Sequence, residues 1–170
     1  ERVRIYLTNA LEPARDDSGT FEFAIPALAH ESKAVDEIKA DKRFSVVIGN
    51  PPYSGHSCNK GEWINELLKH YKRSPQLRRP AQAKWLSDDY VKFLRLSEAL
   101  VQKTSRGVVG FITNHAFLDN PTFCDMRESL RSTFSRLAFQ NLHGSTKKLS
   151  KSDNGGKDEN VFDIQQGTAI

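Results

Sequence analysis

The chain has 170 residues, 38% of them hydrophobic and 27% charged, which suits a globular domain with its own core. It carries 25 Lys and Arg against 21 Asp and Glu, and the resulting formal net charge of +4 only weakly favours a polyanionic partner. No apolar run approaches the roughly 18 residues of a membrane span, and the N-terminus lacks the apolar segment of a secretion signal. A cytoplasmic protein without a membrane partner is therefore expected.

The cysteine and histidine pattern gives no support for a metal site. Cys58 and Cys124 lie far apart in the sequence, and His56 with Cys58 forms a lone H-x-C. The sequence has no second pair of potential ligands at the spacing of a metal site. We therefore predict free thiols and no bound metal.

The first elements alternate between strand and helix. Val3, Ile5 and Leu7 alternate with polar residues and predict a strand that ends near Thr8 and Asn9. The spacing of apolar residues in 30–42 predicts a short helix. The run "FSVVIG" at 44–49 is continuously apolar, which is typical of a parallel strand covered on both faces.

Residues 55–86 form a long basic excursion in which "WINELLKHYK" is the one helical piece. Only Glu62 and Glu66 are acidic in this segment. Its seven basic residues are Lys60, Lys69, Lys72, Arg73, Arg78, Arg79 and Lys84.

The second half continues the alternation. Ser87 is the predicted cap of the first of its two helices, and Asn120, followed by Pro121, is the predicted cap of the second. The predicted helices are 87–103 and 120–134, and the predicted strands are 107–113, 136–144 and 161–170. This order predicts a doubly wound α/β sheet, on which ligands lie beyond the carboxyl ends of the strands.

The sequence Asn50-Pro51-Pro52-Tyr53 directly follows the apolar run at 44–49. Two prolines fix their own backbone angles and hold Asn50 extended, so the loop is stiff. The Asn50 amide oxygen and the Pro51 carbonyl offer two acceptors, and Tyr53 offers a flat ring for stacking. Together they suit an amino group on a planar heterocycle, although an ordinary strand-to-loop turn would have the same residues.

The motif and its flanks resemble the amino-group DNA methyltransferases that carry an Asn-Pro-Pro-Tyr loop. The likeness extends to "RIYLTNALE", "GVVGFITNHAFLDN", "MRESL", "NLHG" and "NVFDIQQGTAI". It is greatest for the methyltransferase region of large single-chain restriction-modification enzymes that also carry a helicase. The resemblance implies a mostly parallel sheet of the S-adenosylmethionine-dependent type, and methyl transfer to the exocyclic amine of an adenine flipped out of double-stranded DNA.

The resemblance also assigns roles to individual residues. It implies that the Asn50 side chain and the Pro51 carbonyl accept hydrogen bonds from the target amine, with Pro52 shaping the loop and Tyr53 stacking on the base. Phe162 matches the aromatic residue that packs on the other face of the adenine. Asn9 falls where the family contacts the adenine of the cofactor, although it would equally serve to end a strand. The basic excursion at 55–86 is expected to face DNA phosphates.

One part of the family pattern falls outside this sequence. The glycine-rich cofactor loop would precede Glu1, and Gly155 with Gly156 lie in a polar loop that is no substitute for it. Residues 1–170 are therefore predicted to be the C-terminal part of a methyltransferase catalytic domain that lacks the first strands of its sheet and is inactive alone. The expected partner is the remainder of a parent polypeptide, with a cofactor-binding half and a recognition domain; whether it also carries a helicase or nuclease is left open.

Two other functions stay open at this point. Methyltransferases that modify a glutamine amide in proteins use the same tetrapeptide on the same fold. A non-catalytic binding module or remnant would also keep the sheet. A titration with S-adenosylmethionine would distinguish the non-catalytic module, which should not bind it, from the two enzymes.

Overall fold

The computed structural model describes residues 3–15, 26–52, 55, 57–79, 83–145, 160–162 and 164–170. The chain divides into two compact units, Glu1–Arg43 and Phe44–Ile170.

The first unit contains helix α1, Pro26–Asp41. This confirms the predicted helix and extends it by four residues at its start. Leu11 and Val35 are its buried apolar side chains among the described residues. The strand predicted to end near Asn9 is wrong: residues 3–9 have no regular structure, and Leu7 is 95% exposed. An alternating pattern favours a strand only where a neighbouring strand is available for pairing, and in this unit none of the described segments pairs with it.

The second unit contains the other helices and all the described strands. The helices are α2, Glu62–Leu68; α3, Asp89–Gln102; and α4, Cys124–Thr133. The strands are β1, Val46–Gly49; β2, Val108–Phe111; β3, Thr113–Asn114; β4, Asn141–His143; and β5, Thr168–Ala169. Short 3₁₀ turns are formed by Lys69–Tyr71, Pro75–Arg78, Lys84–Ser87, His115–Phe117 and Pro121–Phe123.

The described strands form two small sheets, a parallel pair and an antiparallel group of three. β1 and β2 are parallel, with Val46 opposite Val108 and Gly49 opposite Phe111. β5 lies between β3 and β4 and is antiparallel to both. Only Ile112 separates β2 from β3, so one extended segment takes part in both sets of pairings. The predicted parallel pairing is confirmed for β1 and β2, and the described strands β3, β4 and β5 add two antiparallel pairings.

One face of the parallel pair is open. Val46, Ile48 and Val108 are 59%, 77% and 63% exposed, whereas Val47 and Val109, which alternate with them, are half-buried. The described residues therefore cover only one face of a strand that the sequence predicted to be covered on both.

The core of the second unit lies among the helices. The buried cluster consists of Leu68, Tyr71, Leu77, Ala83, Leu86, Tyr90, Val91, Leu94, Phe117, Phe123, Met126 and Leu130. Phe123, just before α4, and Met126 and Leu130 within it are buried and form the inward face of this region. Asn120 caps the turn before α4 as predicted, accepting a hydrogen bond from the Thr122 amide at 2.9 Å. The cap of α3 is Asp88 rather than Ser87.

A polar network centred on Glu98 crosses this core. The Glu98 side chain is fully buried. One of its oxygens accepts from the Tyr71 hydroxyl at 2.9 Å and from the Arg95 guanidinium at 3.0 Å. The other accepts from the hydroxyls of Ser129, at 2.8 Å, and Thr133, at 2.6 Å. Burial, reinforced by the Glu98 charge, raises the pKa of Tyr71 well above its usual value. Glu98 thus joins α3 to α4 and to the turn after α2.

Candidate functional site

Asn50 lies where the sequence predicted it, at the carboxyl end of β1. Its side chain is exposed, Pro51 is buried and Pro52 is exposed. Tyr53 lies outside the described residues. The preceding Gly49 is required by packing, because a β-carbon there would lie 2.6 Å from the Phe111 ring on the neighbouring strand. The strand therefore delivers an exposed amide to the carboxyl edge of the sheet, immediately before two rigid residues.

The chain beyond the motif is bonded to the first turn of α3. The Gly55 amide donates to the Asp88 carboxylate at 3.0 Å, with Gly55 at a φ of +77° that favours glycine. The Ser57 hydroxyl and the Asn59 side-chain amide both donate to one oxygen of Asp89. Two adjacent carboxylates thus hold the segment that follows the tetrapeptide.

Lys92, one turn further along α3, completes this arrangement. Its side chain is 2% exposed, and its ammonium donates to the Ser57 hydroxyl at 2.6 Å and to the Asn59 carbonyl. Burial lowers the pKa of Lys92, against the opposing effect of the Asp89 carboxylate 3.9 Å away. Burial also raises the pKa of Asp88, although hydrogen bonds from Asp89 and Gly55 oppose the shift. The sequence analysis missed the cluster, since Asp88, Asp89 and Lys92 were there only part of the predicted helix 87–103.

Asn9 belongs to the first unit, where its side chain is engaged locally. Its amide oxygen accepts from the Leu11 backbone at 3.1 Å, and its amide nitrogen donates to Glu12 at 3.1 Å. The Lys39 ammonium donates to its carbonyl at 2.8 Å. Asn9 and Glu12 also line a cavity of about 620 Å³. These side-chain contacts are those of an asparagine that forms a local turn at the end of a segment. If Asn9 contacts a cofactor, the contact would be made in this cavity.

Phe162 lies in a turn organised by Asn160. The Asn160 amide nitrogen lies within hydrogen-bonding distance of the carbonyls of Gly144, Ile164 and Gln166, at 3.0, 3.1 and 2.6 Å. Its oxygen accepts from the Phe162 amide at 3.0 Å. The Phe162 residue is half-buried. Asn160 was not singled out from the sequence, where it is only the residue two positions before the aromatic.

Topology brings the Phe162 turn to the same edge of the sheet as Asn50. β2 and β3 run in the direction of β1, and the Ile112 amide donates to the Gly49 carbonyl at 3.1 Å. Just beyond β3, the His115 amide donates to the Gly167 carbonyl at 3.0 Å. The described residues 160–162 and 164–167 therefore approach β5 from the carboxyl edge, where Asn50 also lies.

Other site types have no counterpart in the described part of the chain. Its His, Cys, Asp and Glu side chains form no group of three or more that would hold a metal ion. None of its helices combines the length and apolar character needed to cross a membrane.

Comparison with protein families gives a match over most of the chain. The family described as Eco57I restriction-modification methylase matches residues 12–149, a range that includes the tetrapeptide and α3. No curated protein matches the chain.

Three solved structures are similar to this chain. The ATP-dependent Type ISP restriction-modification enzyme LlaBIII bound to DNA is 25% identical, with a TM-score of 0.70 over 94% of this chain and 11% of that one. A nuclease-deletion mutant of the Type ISP enzyme LlaGI, in complex with a DNA substrate mimic, is 20% identical, with a TM-score of 0.66 over 85% of this chain and 14% of its own. The DrdV–DNA complex is 26% identical, with a TM-score of 0.62 over 82% of this chain and 14% of its own. The chain thus has the mixed α/β fold of a region within these enzymes and spans only a small share of their length.

Proposed function

This chain belongs to the Eco57I restriction-modification methylase family, and from that membership we propose that it is the target-base part of a DNA adenine methyltransferase of a restriction-modification system. The proposed reaction transfers a methyl group from S-adenosylmethionine to the exocyclic amine of an adenine flipped out of the duplex. In this proposal residues 1–170 are the C-terminal part of the catalytic domain.

The observation that carries the proposal is the exposed Asn50 amide at the carboxyl edge of the sheet, held between β1 and Pro51. An amide oxygen and a neighbouring main-chain carbonyl would accept both hydrogens of the target amine. Such contacts leave the nitrogen lone pair directed away from them, towards the methyl group. Fixed acceptors also stabilise the positive charge that develops on the nitrogen during attack.

Two aromatic side chains would hold the flipped base between them. Tyr53 follows the acceptors directly in the sequence, and a ring there would stack on one face of the adenine. Phe162 is the proposed contact on the other face, supported by the Asn160 turn at the same edge of the sheet. Stacking on both faces would offset the cost of removing the base from the duplex.

The Asn9 cavity is the proposed contact with the cofactor. S-adenosylmethionine supplies the activated methyl group when bound. The cavity presents the Asn9 amide and the carboxylates of Glu12, Glu31 and Asp36, which together suit the mixed donors and acceptors of an adenine edge. Hydrogen bonding by Arg15 lowers the pKa of Glu12, so this carboxylate is charged at neutral pH and acts as an acceptor.

Double-stranded DNA is the proposed macromolecular partner. Five basic residues of the 55–86 segment are exposed: Lys60, Lys69, Arg73, Arg79 and Lys84. Exposed cations of this kind neutralise phosphates and position a duplex without reading its sequence. The three similar structures all contain DNA or a DNA mimic, which supports the assignment.

The open face and free edge of β1 support a second partner, the remainder of a longer polypeptide. Among the described strands β1 pairs only with β2, and its Val46 and Ile48 side chains are exposed. Covering each of these side chains fully would contribute about 1.5–3 kcal/mol to the free energy of association with the partner. In this proposal the further strands of a doubly wound sheet pair with the free edge of β1, the helices that accompany them cover its open face, and these strands carry the main cofactor pocket.

The reaction is tested with the full-length protein. We expect that incubation with S-adenosylmethionine and duplex DNA, followed by digestion to nucleosides and mass spectrometry, gives N6-methyladenine. N4-methylcytosine as the product would contradict the adenine assignment. Methylated glutamine in an added protein substrate, without DNA methylation, would favour the protein methyltransferase instead.

Residues 1–170 alone are expected to bind S-adenosylmethionine more weakly than about 1 mM, since most of the cofactor contacts are assigned to the remainder of the polypeptide. Isothermal titration calorimetry measures this directly, with the full-length protein as the positive control. Micromolar affinity of the isolated chain would show that it holds the cofactor pocket by itself.

A further inference from the structure

The half-buried Ser57 and the buried Asp88, Asp89 and Lys92 form a polar cluster, here called the loop clamp. We propose that the loop clamp positions Asn50, Pro51 and Pro52 for methyl transfer, with Ser57 and Lys92 as positioning residues that do not touch the substrate. The inference rests on the proposed function, because it concerns how the same loop is held.

The loop is fixed on both sides by hydrogen bonds. Before it, the Gly49 carbonyl accepts from the Ile112 amide at 3.1 Å, which ties the end of β1 to the next strand. After it, the Gly55 amide donates to Asp88 at 3.0 Å, which ties the chain to α3. Asn50, Pro51 and Pro52 lie between these two points in the sequence, so their reach is limited by both attachments.

Ser57 is the centre of the clamp on the loop side. Its hydroxyl donates to Asp89 and accepts both from the Lys92 ammonium, at 2.6 Å, and from the Asn59 amide, at 3.0 Å. One side-chain oxygen therefore joins a carboxylate, an ammonium and the loop backbone. Removing it leaves the buried Lys92 charge with one fewer acceptor.

The cost of burying these charges argues that the arrangement has a positional role. Lys92 and Asp89 are both buried, and desolvating two charges is offset only when their geometry and additional hydrogen bonds are good. The Lys92 ammonium donates hydrogen bonds to the Ser57 hydroxyl and to the Asn59 carbonyl, both in the segment that follows the tetrapeptide. Directional bonds of this kind fix an orientation, which a purely apolar contact would leave freer.

Misplacing a reacting group by about 1 Å costs up to roughly 100-fold in rate, so a loosened loop should affect kcat more than binding. In the full-length protein we expect Ser57→Ala to lower kcat by about 10-fold or more, with KM for DNA and S-adenosylmethionine within about twofold of wild type. Ser57→Thr keeps the hydroxyl and should restore most of the rate. Tyr71→Phe is the matched control, since it also removes one hydroxyl from a buried hydrogen bond of this unit, but one made to Glu98.

Hydrogen exchange provides a readout that does not depend on methyl transfer. In Ser57→Ala, peptides covering 50–60 should exchange faster than in wild type, while peptides of α4 should be unchanged. The inference is overturned if Ser57→Ala and Tyr71→Phe have the same kcat, or if exchange in 50–60 is unaltered. Absence of N6-methyladenine after incubation of the wild-type full-length protein with S-adenosylmethionine and duplex DNA would instead overturn the proposed function, so the two failures are distinguishable.

Discussion

Asn50→Ala is expected to lower kcat for DNA methylation by at least about 100-fold, similar to the loss of one preorganised hydrogen-bonding group in other active sites. The truncation removes the amide oxygen that would accept from the target amine, and alanine has no replacement for it. The fold should be unaffected, because the side chain is exposed and hydrogen-bonds to none of the described residues. The measurement is transfer of labelled methyl groups to duplex DNA by the full-length protein at saturating cofactor.

Two further variants make this result specific. Asn50→Asp keeps an acceptor oxygen and should retain more activity than Asn50→Ala. Gln102→Ala removes a comparable exposed amide at the end of α3, beside the start of β2 and thus at the opposite edge of the sheet, and should leave kcat unchanged. A kcat within about twofold of wild type in Asn50→Ala would show that the amide has no part in the chemical step.

The elements that could be predicted are those whose signals are local. Asn120 and Pro121 mark the start of the α4 region, and Met126 and Leu130 repeat on one helical face, so position and buried side both follow from neighbouring residues. The strand predicted at 3–8 failed for the opposite reason. A strand depends on a partner that is distant in sequence, and alternation of Val3, Ile5 and Leu7 contains no information about that partner.

The same distinction applies to the candidate site. The tetrapeptide could be found because its residues are contiguous and follow an apolar strand directly. The loop clamp could not, because the Gly55–Asp88 bond joins residues 33 positions apart and the Lys92–Ser57 bond joins residues 35 apart. Asn160 shows an intermediate case: its partners are near in sequence, except for Gly144, but only the folded turn brings three carbonyls to one amide.

The unit that carries this site depends on Glu98 for its stability, and Glu98→Ala is expected to lower the free energy of unfolding by about 3–5 kcal/mol. The substitution leaves the Arg95 guanidinium, which is 3% exposed, without its carboxylate partner. It also removes the acceptor for the hydroxyls of Tyr71, Ser129 and Thr133. Since a whole domain is stable by only about 5–15 kcal/mol, much of the population would be unfolded or close to it.

Glu66→Ala is the matched control for this prediction. Glu66 also pairs with a cation three residues along a helical segment, at 2.6 Å from Lys69, but both side chains are more than half exposed. An exposed pair of this kind contributes about 0.2–1 kcal/mol, so the control should be close to wild type. Urea denaturation of the 170-residue chain, followed by circular dichroism, measures both variants. A loss below about 1 kcal/mol for Glu98→Ala would mean that water replaces the carboxylate and that the helices do not depend on this network for their packing.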